Sequence, residues 1–482
     1  MLRTDFKPDR EEILSHLQGL NHRIQETRRF TARGTVEQVT GMVIESRGPS
    51  ASLGDLCHIH SPRAKKEFKA EVVGFRGHTT LLMPYSDTEG LHPGSEVVAT
   101  DRPVRVPVGN ALEGRIINAI GSPIDGQGPL RSEHQAGFKA SAPHPLERNP
   151  ISQNFTTGIR AIDTFTPCGI GQRMGIFAGS GVGKSTLLGM IAGHSDADAV
   201  VIALIGERGR EVREFIENDL NAAARAKSVV VVATSDEPPI MRLKGAYAAM
   251  AIAEQFRNEG KNVLLMMDSV TRFAMAQREV GLAVGELPAT KGYTPSVFST
   301  LPQLLERAGC DRDGAITGLF TVLVEGDDLS DPIADTVRSI LDGHIVLSRQ
   351  LADEGVYPAI DLLKSVSRLY KDLTPATDEP ALRAARAALA TYHQNQEIIR
   401  LGIYQSGSNP TVDQAIALRP HLRKFLQQGI HEGNTIHESR TWIKDIMASH
   451  SLASPSPAPR PPQRPPLTSV PGPSTPTPYS TA

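Results

Sequence analysis

The sequence predicts an α/β protein in which a small β-barrel precedes a parallel sheet covered by helices, with a C-terminal helical domain after it. Three observations support this fold class. Short β-rich segments separated by turn residues occupy the N-terminal part, apolar runs then alternate with helical patterns, and a stretch rich in Ala, Leu, Arg, His and Gln follows. Nearly continuous apolar strands that alternate with helices indicate a parallel sheet buried on both faces.

Changes in composition give the domain boundaries. The charged segment 1–30 carries Ile and Leu at helical spacing, which predicts an amphipathic helix that packs on its own domain or docks a partner. The barrel is predicted at 31–105, the sheet domain at 106–370 and the helical domain at 371–450. The last segment, 451–482, holds eleven of the chain's 35 prolines and predicts a disordered tail.

The individual elements follow from local patterns. The predicted barrel strands are 34–47, 68–75 and 78–83, and the predicted sheet strands are 174–177, 199–205, 228–233, 263–267, 316–324 and 344–347. The predicted helices of the sheet domain are 187–192, 212–226, 241–258 and 302–308. Residues 106–170 are rich in Gly and Pro and are predicted to be a connection.

Composition limits the function classes. The chain has 482 residues, enough for two to four domains, and a net charge of −2 that argues against a nucleic-acid-coating surface. Basic residues at 63–69 lack the aromatic neighbours that would stack bases, so they predict a solvated face. Cys57, Cys168 and Cys310 lie too far apart for a metal motif and suit a reducing compartment. With no long apolar run or signal-like N-terminus, we expect a cytoplasmic protein without a membrane span.

A glycine loop between a strand and a helix is the strongest motif. Residues 174–191 read MGIFAGSGVGKSTLLGMI: an apolar run, a turn that glycine favours, and a helix start. In this context backbone N–H groups and the positive end of the helix face one anion. The predicted phosphate-binding residues are Gly179, Ser180, Gly181, Val182, Gly183, Lys184, Ser185 and Thr186.

Two side chains of this loop have specific predicted roles. Lys184 would reach the β- and γ-phosphates of ATP, and Ser185 would place its hydroxyl on Mg²⁺. The first glycine of the usual motif is Ala178 here, which we expect to end the strand because alanine disfavours a large positive φ. The alternative, a flexible connector with a chance lysine, does not explain the flanking strand and helix.

Two carboxylates follow predicted strands of the same sheet. Asp268 ends the apolar run 263–267 and would support Mg²⁺ through water opposite Ser185. Glu207 follows 199–205, where a carboxylate can orient the water that attacks the γ-phosphate. Arg208, next in the chain, could meet phosphate charge, although a solvated turn with structural ion pairs fits these two residues as well.

Tyr357 and Arg368 are the remaining candidates. Tyr357 precedes a proline, which favours an extended backbone that presents the ring for stacking on a base. Arg368 could supply positive charge to a transition state, including that of a neighbouring subunit. Taken alone, each residue is better explained by the ordinary interpretation, a packing tyrosine for Tyr357 and a surface ion pair for Arg368.

Six motifs in order resemble the rotary-type ATPase superfamily that includes the catalytic subunits of ATP synthases. They are AGSGVGKST (178–186), GERGREVREF (206–215), LLMMDSVTRFAMAQRE (264–279), EGDDLSDP (325–332), DGHIVLSR (342–349) and YPAIDLLKSVSR (357–368). The chain is most similar to the ATPases of type III protein export and, among these, to the flagellar branch. The resemblance covers about 31–450.

The resemblance implies a RecA-like P-loop ATPase domain and a homohexamer with ATP and Mg²⁺ at the subunit interfaces. It implies that Glu207 is the catalytic carboxylate, that Arg208 approaches the γ-phosphate, that Tyr357 stacks on adenine and that Arg368 acts on the neighbour's ATP. A glutamate at 207 also distinguishes catalytic from non-catalytic ring subunits. The aromatic wall that synthases place on adenine stays unassigned, because Phe425 is the one aromatic in the matching stretch 419–429.

The resemblance also implies partners and a location. A stator-like regulatory protein would bind the N-terminal helix, and a central stalk-like protein would contact the loop 325–332. Export chaperones and the membrane proteins of the export gate would be further partners. The location would be cytoplasmic, peripheral to the inner membrane at the flagellar base.

Four functions compete. The first is a flagellar export motor, with the virulence injectisome as its nearest alternative. The second is the catalytic subunit of a proton-coupled rotary synthase, and the third is a hexameric RNA translocase, which near-neutral charge and an aromatic-poor barrel disfavour. The fourth is a scaffold that binds ATP without turnover.

Overall fold

The computed structural model describes residues 33–61, 66–324, 326, 328 and 330–451. The predicted N-terminal helix and the proline-rich tail lie outside these residues, and the loop 325–332 is described only in part. The predicted boundaries between the domains stay predictions. The predicted fold class is confirmed in all three of its parts.

Six strands form a closed barrel in the order β1-β2-β5-β4-β3-β6. They are β1 (Arg33–Thr40), β2 (Val43–Arg47), β3 (Asp55–Ser61), β4 (Lys66–Arg76), β5 (Thr79–Pro84) and β6 (Glu96–Pro103). The segment predicted as one strand, 34–47, is a hairpin that turns at Gly41, where φ is +58°. β3 and β6 were not predicted, because polar residues interrupt their apolar positions.

The barrel is attached to the sheet domain through a buried carboxylate. Glu71 on β4 accepts hydrogen bonds from Lys244 Nζ of the sheet domain at 2.8 Å and from Tyr85 Oη at 2.6 Å. Lys244 also lies over the ring of Phe138, 4.8 Å from its centroid. Because the charge is both paired and hydrogen-bonded, its burial is compatible with a fixed barrel position.

The second domain is built on a nine-stranded sheet in the order β19-β18-β12-β17-β15-β13-β14-β8, with β16 beside β17. Its strands and those of two small ribbons are β7 (Arg105–Val108), β8 (Ile116–Asn118), β9 (His134–Gly137), β10 (Asn154–Phe155), β11 (Cys168–Gly169), β12 (Arg173–Ala178), β13 (Ala199–Glu207), β14 (Ser228–Thr234), β15 (Asn262–Asp268), β16 (Gly309–Cys310), β17 (Ala315–Leu323), β18 (Gly343–Val346) and β19 (Val366–Ser367). The pairings from β8 to β18 along this order are parallel, whereas β19 and β16 pair antiparallel.

The helices of the described residues cover the sheet and form the C-terminal domain. They are α1 (Arg160–Phe165), α2 (Lys184–His194), α3 (Gly209–Glu214), α4 (Ala222–Ala226), α5 (Pro239–Asn258), α6 (Val270–Val284), α7 (Pro295–Leu305), α8 (Pro332–Ile340), α9 (Arg349–Asp353), α10 (Tyr370–Leu373), α11 (Glu379–Arg400), α12 (Pro410–Leu426) and α13 (Ile436–Ser451). A π-helical turn, Phe215–Asp219, follows α3. In this part of the chain no helix is long and apolar enough to cross a membrane.

Both faces of the sheet are buried, as the continuous apolar strands predict. Val201 on β13 packs in the cluster that contains Phe256 of α5 and Phe273 of α6. Its neighbour Val200 packs on the opposite face, in the cluster that contains Leu188 of α2 and the C-terminal helices. Successive side chains of a strand point to opposite faces, so a strand without polar positions needs two covering layers.

Three predictions about elements are wrong. The helix predicted at 212–226 is broken into α3, the π-helical turn and α4, because the backbone becomes extended at Leu220 and Asn221 caps a new helix. The helix predicted at 302–308 begins earlier, at Pro295, which occupies the first helical turn, where proline is favoured. The predicted connection 106–170 contributes β8 to the edge of the sheet.

The cap of α4 gives a stability prediction. The Asn221 side-chain oxygen accepts a hydrogen bond from Ala224 N at 2.8 Å. We expect Asn221→Ala to lower the free energy of unfolding by about 1 kcal/mol, because it removes the acceptor of an otherwise unpaired helical N–H. Urea unfolding measures this change, and Asn221→Asp, which keeps an acceptor, serves as the control. An unchanged urea midpoint in the Ala variant would contradict the assignment.

Candidate active site

Three polar or loop-forming positions meet at one edge of the sheet. Ala178, Glu207 and Asp268 are the last residues of β12, β13 and β15. These strands are parallel, with Leu204 of β13 in register with Asp268, so their carboxyl ends lie at the same edge. Ligands of open α/β sheets bind at this edge.

The predicted phosphate loop has the expected backbone. Ala178 ends β12, as predicted, and α2 begins at Lys184. Gly181 and Gly183 have φ of +76° and +85°, and Gly183 immediately precedes the helix. Residues other than glycine rarely adopt this backbone conformation. Glycine is therefore required for the turn that directs backbone N–H groups toward an anion at the helix start.

Lys184 lies between the two carboxylates. Its Nζ donates a hydrogen bond to Asp268 Oδ1 and is 3.7 Å from Glu207 Oε1. Thr321 Oγ1 of β17 donates to the same Asp268 oxygen at 2.7 Å and fixes that carboxylate. The predicted residues Lys184, Asp268 and Glu207 are thus brought together, and Thr321 is an addition that the sequence analysis missed.

Glu207 has an unusual environment. Burial raises its pKa to about 7; Lys184 opposes this shift and Asp268 adds to it. Its Oε1 atom is buried and makes no hydrogen bond with any of the described residues. A carboxylate with a free acceptor and a raised pKa is suited to bind and polarise water.

Arg272 is a second residue that the sequence analysis did not single out. It follows Asp268 on α6 and lines the same cleft of about 410 Å³, and its positive charge lowers the pKa of Glu207. Gly206 makes room for it, because a Cβ there would lie 2.8 Å from Arg272 Cβ. The motif that contains Arg272 was recognised in the sequence, but no local pattern showed which of its residues faces the cleft.

The remaining members of the cleft are more exposed. Arg208 lines it and points largely into solvent, with Nη1 3.3 Å from Glu211 Oε1. Ser185 and Thr186 also line the cleft, at the start of α2. Arg349, which the sequence analysis did not consider, donates through Nη2 to the Ser180 carbonyl at 3.3 Å and ties the phosphate loop to α9.

Tyr357 stands beside the phosphate loop. A Cβ on Gly183 would lie 3.3 Å from two of its ring carbons, and 46 % of the residue is exposed. Phe425 is fully buried, edge-on to Phe165 at 6.2 Å and to Trp442 at 5.3 Å. It therefore belongs to the core that joins α1 to the C-terminal helices and does not offer a face to a base.

Arg368 is not part of this cleft. It follows β19, and Ser367 is in register with Gly343, the first residue of β18. The Arg368 N–H donates to the Asp342 carbonyl at 3.0 Å, and the Asp342 N–H donates to Arg173 O at 2.9 Å. Arg368 thus lies at the level where β12 begins, whereas the phosphate loop follows the other end of β12.

Family comparisons agree with this architecture. Residues 158–367 match the nucleotide-binding domain of the ATP synthase alpha/beta family, and residues 36–101 match the beta-barrel domain of that family. Residues 374–445 match the C-terminal domain of the T3SS EscN ATPase. The chain belongs to the ATP synthase alpha/beta family.

Individual relatives give a narrower grouping. The chain is 52 % identical to the flagellum-specific ATP synthase of Bacillus subtilis (86 % of this chain, 95 % of the relative) and 53 % identical to that of Treponema pallidum (88 % and 94 %). It is 48 % identical to a type 3 secretion system ATPase of Xanthomonas euvesicatoria (82 % and 89 %). Within the family it groups with the flagellar and type III secretion ATPases and is an ATPase, so the resemblance seen in the sequence is confirmed.

Two solved structures share the whole fold. The assembled ATPase EscN from the type III secretion system of enteropathogenic E. coli has a TM-score of 0.82 at 44 % identity, covering 86 % of this chain and 100 % of that chain. EscN in complex with its central stalk EscO has a TM-score of 0.79 at 43 % identity, with the same coverage.

Proposed function

We propose that this protein hydrolyses Mg²⁺-ATP at the interfaces of a homohexamer and drives export through the flagellar type III apparatus. It would do so in the cytoplasm, at the inner membrane of the flagellar base. Two flagellum-specific relatives, those of Bacillus subtilis and Treponema pallidum at 52 and 53 % identity, support this choice over the Xanthomonas secretion ATPase at 48 %, although other flagellum-specific relatives range from 43 to 48 %. The virulence injectisome is therefore the second candidate.

The cleft fits ATP and Mg²⁺ by its donor set. The glycine loop and Lys184 offer N–H donors to phosphate, and Lys184 would exchange its contact with Asp268 for the β- and γ-phosphates. The Ser185 hydroxyl and the Asp268 carboxylate are the hard oxygen ligands that Mg²⁺ prefers. Bound Mg²⁺ would neutralise charge that develops on the phosphates.

Glu207 then orients the attacking water. Its buried Oε1 has no hydrogen-bond partner among the described residues, with Lys184 Nζ 3.7 Å away, and the positive charges of Lys184 and Arg272 both favour the ionised carboxylate. A base in this position accepts the water proton as the oxygen attacks phosphorus. Arg208 would approach the γ-phosphate, and Tyr357 would stack on the base that extends past Gly183.

The position of Arg368 supports action between subunits. Arg173, level with Arg368 across the sheet, and Ala178, next to the phosphate loop, are separated by the length of β12, about 16 Å at the usual strand rise. An arginine that lies level with the start of β12 is poorly placed to reach phosphates bound beyond the other end of that strand. In a closed ring each subunit presents one face to the next, so Arg368 can complete the neighbour's site.

Partners are proposed from the relatives. EscN was solved with a central stalk, EscO, and a stalk-like protein here would meet the loop 325–332, which leaves the same sheet edge as the phosphate loop. A stator-like protein at the N-terminal segment, export chaperones and the membrane proteins of the export gate complete the proposal.

One experiment tests the assembly and the reaction together. We would measure steady-state ATP hydrolysis by the full chain, without any second subunit, against protein concentration. Specific activity that rises with concentration supports a single-chain ring, whereas a requirement for a related non-catalytic subunit would favour the rotary synthase. ATP binding without turnover would reject the enzyme, and complementation of swimming in a strain lacking its own copy separates the flagellar from the injectisome role.

The metal ligands give a separate prediction. Ser185→Ala is expected to raise the Mg²⁺ concentration needed for half-maximal ATPase activity by about tenfold, because one hydroxyl ligand is lost. Titration of Mg²⁺ at saturating ATP measures this. Ser195→Ala, just beyond the other end of α2, is the control and should leave the titration unchanged. Equal Mg²⁺ dependence of the two variants would refute the ligand assignment.

A further inference from the structure

The loop that carries Tyr357 is held by the C-terminal helical domain. Three of its carbonyl groups accept hydrogen bonds from donors at the end of α12 or directly after it. Arg423 Nη2 donates to Glu354 O at 2.9 Å, Gln427 Nε2 to Gly355 O at 3.3 Å and Gln428 N to Tyr357 O at 2.9 Å. The backbone of Tyr357 is thus fixed by residues about seventy positions later in the chain.

Gln428 is itself fixed by the sheet domain. It is buried, and its Nε2 donates to Gly158 O at 2.7 Å and to Glu432 O at 2.6 Å. Its Oε1 accepts from Arg160 N at 2.9 Å. Both amide hydrogens and the amide oxygen are therefore paired, so the side chain has one favoured placement.

Arg160, at the start of α1, also holds the end of α12 and the segment that follows it. It is buried, donates through Nε to Phe425 O at 2.9 Å and through Nη1 to Asn434 Oδ1 at 2.8 Å. Its guanidinium lies 5.0 Å from the centroid of the Trp442 ring. Gln428 therefore connects the hydrogen-bonded contact between the sheet domain and the C-terminal domain to the Tyr357 carbonyl.

We propose that Gln428 is a positioning residue for nucleotide binding, which holds Tyr357 beside Gly183 before the nucleotide arrives. This inference rests on the proposed function, in which Tyr357 stacks on the base. Only two rotatable bonds join the half-exposed ring to its backbone, so the position of the backbone limits where the ring can lie. A ring held in place in advance loses less conformational entropy on binding.

A residue that positions Tyr357 affects recognition of the base and not of the phosphates. Gln428→Leu removes the three side-chain hydrogen bonds and keeps a similar volume. We expect it to raise the inhibition constant of ADP against ATP hydrolysis by about tenfold and to leave that of inorganic pyrophosphate unchanged, because pyrophosphate has no base. Tyr357→Ala should behave in the same way, and the double variant should lose little more than Tyr357→Ala alone.

Two further variants guard against a folding artefact. Gln427→Ala removes one hydrogen bond to the same loop from a partly exposed side chain, and should raise the ADP constant about threefold. Arg440→Gln removes a different buried contact of the C-terminal domain, to Leu373 O at 3.1 Å, and should change neither constant. If Gln428→Leu does not fold, Gln427→Ala decides.

The outcomes distinguish this inference from its premise. If Tyr357→Ala leaves the ADP constant unchanged, base stacking by Tyr357 is wrong, and the inference fails with it. If Tyr357→Ala raises that constant and neither glutamine variant does, stacking stands and the positioning role is overturned. Equal increases for ADP and pyrophosphate, or additive losses in the double variant, also overturn it.

Discussion

Glu207→Gln is expected to lower kcat for ATP hydrolysis by about 10³-fold and to leave nucleotide affinity within about threefold. The amide keeps the shape of the side chain at the end of β13 but cannot accept a proton from water. Lys184, 3.7 Å away, and the phosphate loop are untouched, so the binding surface persists. Steady-state kinetics gives kcat, and competition with ADP gives the affinity.

A matched carboxylate provides the control for Glu207. Glu217 lies in the adjoining π-helical turn, is exposed and pairs with Arg213 at 2.9 Å, so Glu217→Gln should hydrolyse ATP at the wild-type rate. Near-normal turnover by Glu207→Gln would show that another group orients the water. A parallel loss of ADP affinity would instead assign Glu207 to the structure of the phosphate loop.

Much of this site could be predicted because its parts obey local rules. The apolar runs ending at Glu207 and Asp268 are strands of one parallel sheet, and parallel strands deliver their last residues to the same edge. Ala178 ends its strand, as expected because alanine disfavours the large positive φ of the turn. Sequence neighbours alone decide these features, so one sequence suffices to find them.

Other features depend on contacts between distant residues and leave no local pattern. Thr321 meets Asp268 across 53 positions, and Gln428 meets Gly158 across 270. Composition also could not separate a base-stacking aromatic from a core aromatic. Phe425 has helical neighbours and an aromatic ring, and only its packing against Trp442 shows that it is core.

Arg368→Ala is expected to lower kcat by about 10³-fold and to leave ADP binding unchanged, because the arginine acts on a neighbour's phosphates. Its side chain is exposed, and its backbone is held by Asp342 through the N–H, which alanine keeps. Fold and ring formation should therefore survive. Arg383→Ala, on the exposed face of α11, is the control and should retain full activity.

Mixing the two inactive variants tests whether the site is shared. In a ring assembled from equal amounts of Glu207→Gln and Arg368→Ala, an interface is intact when the Arg368→Ala subunit supplies Glu207 and its neighbour supplies Arg368. Random assembly gives about one intact interface in four, so activity should return to about a quarter of wild type if the sites turn over independently. A mixture as inactive as its components would leave independent sites or subunit exchange in question, and covalently linked heterodimers then decide. If those dimers also stay inactive, Arg368 does not act in trans, and its position after β19, level with the start of β12, must serve the structure of its own subunit.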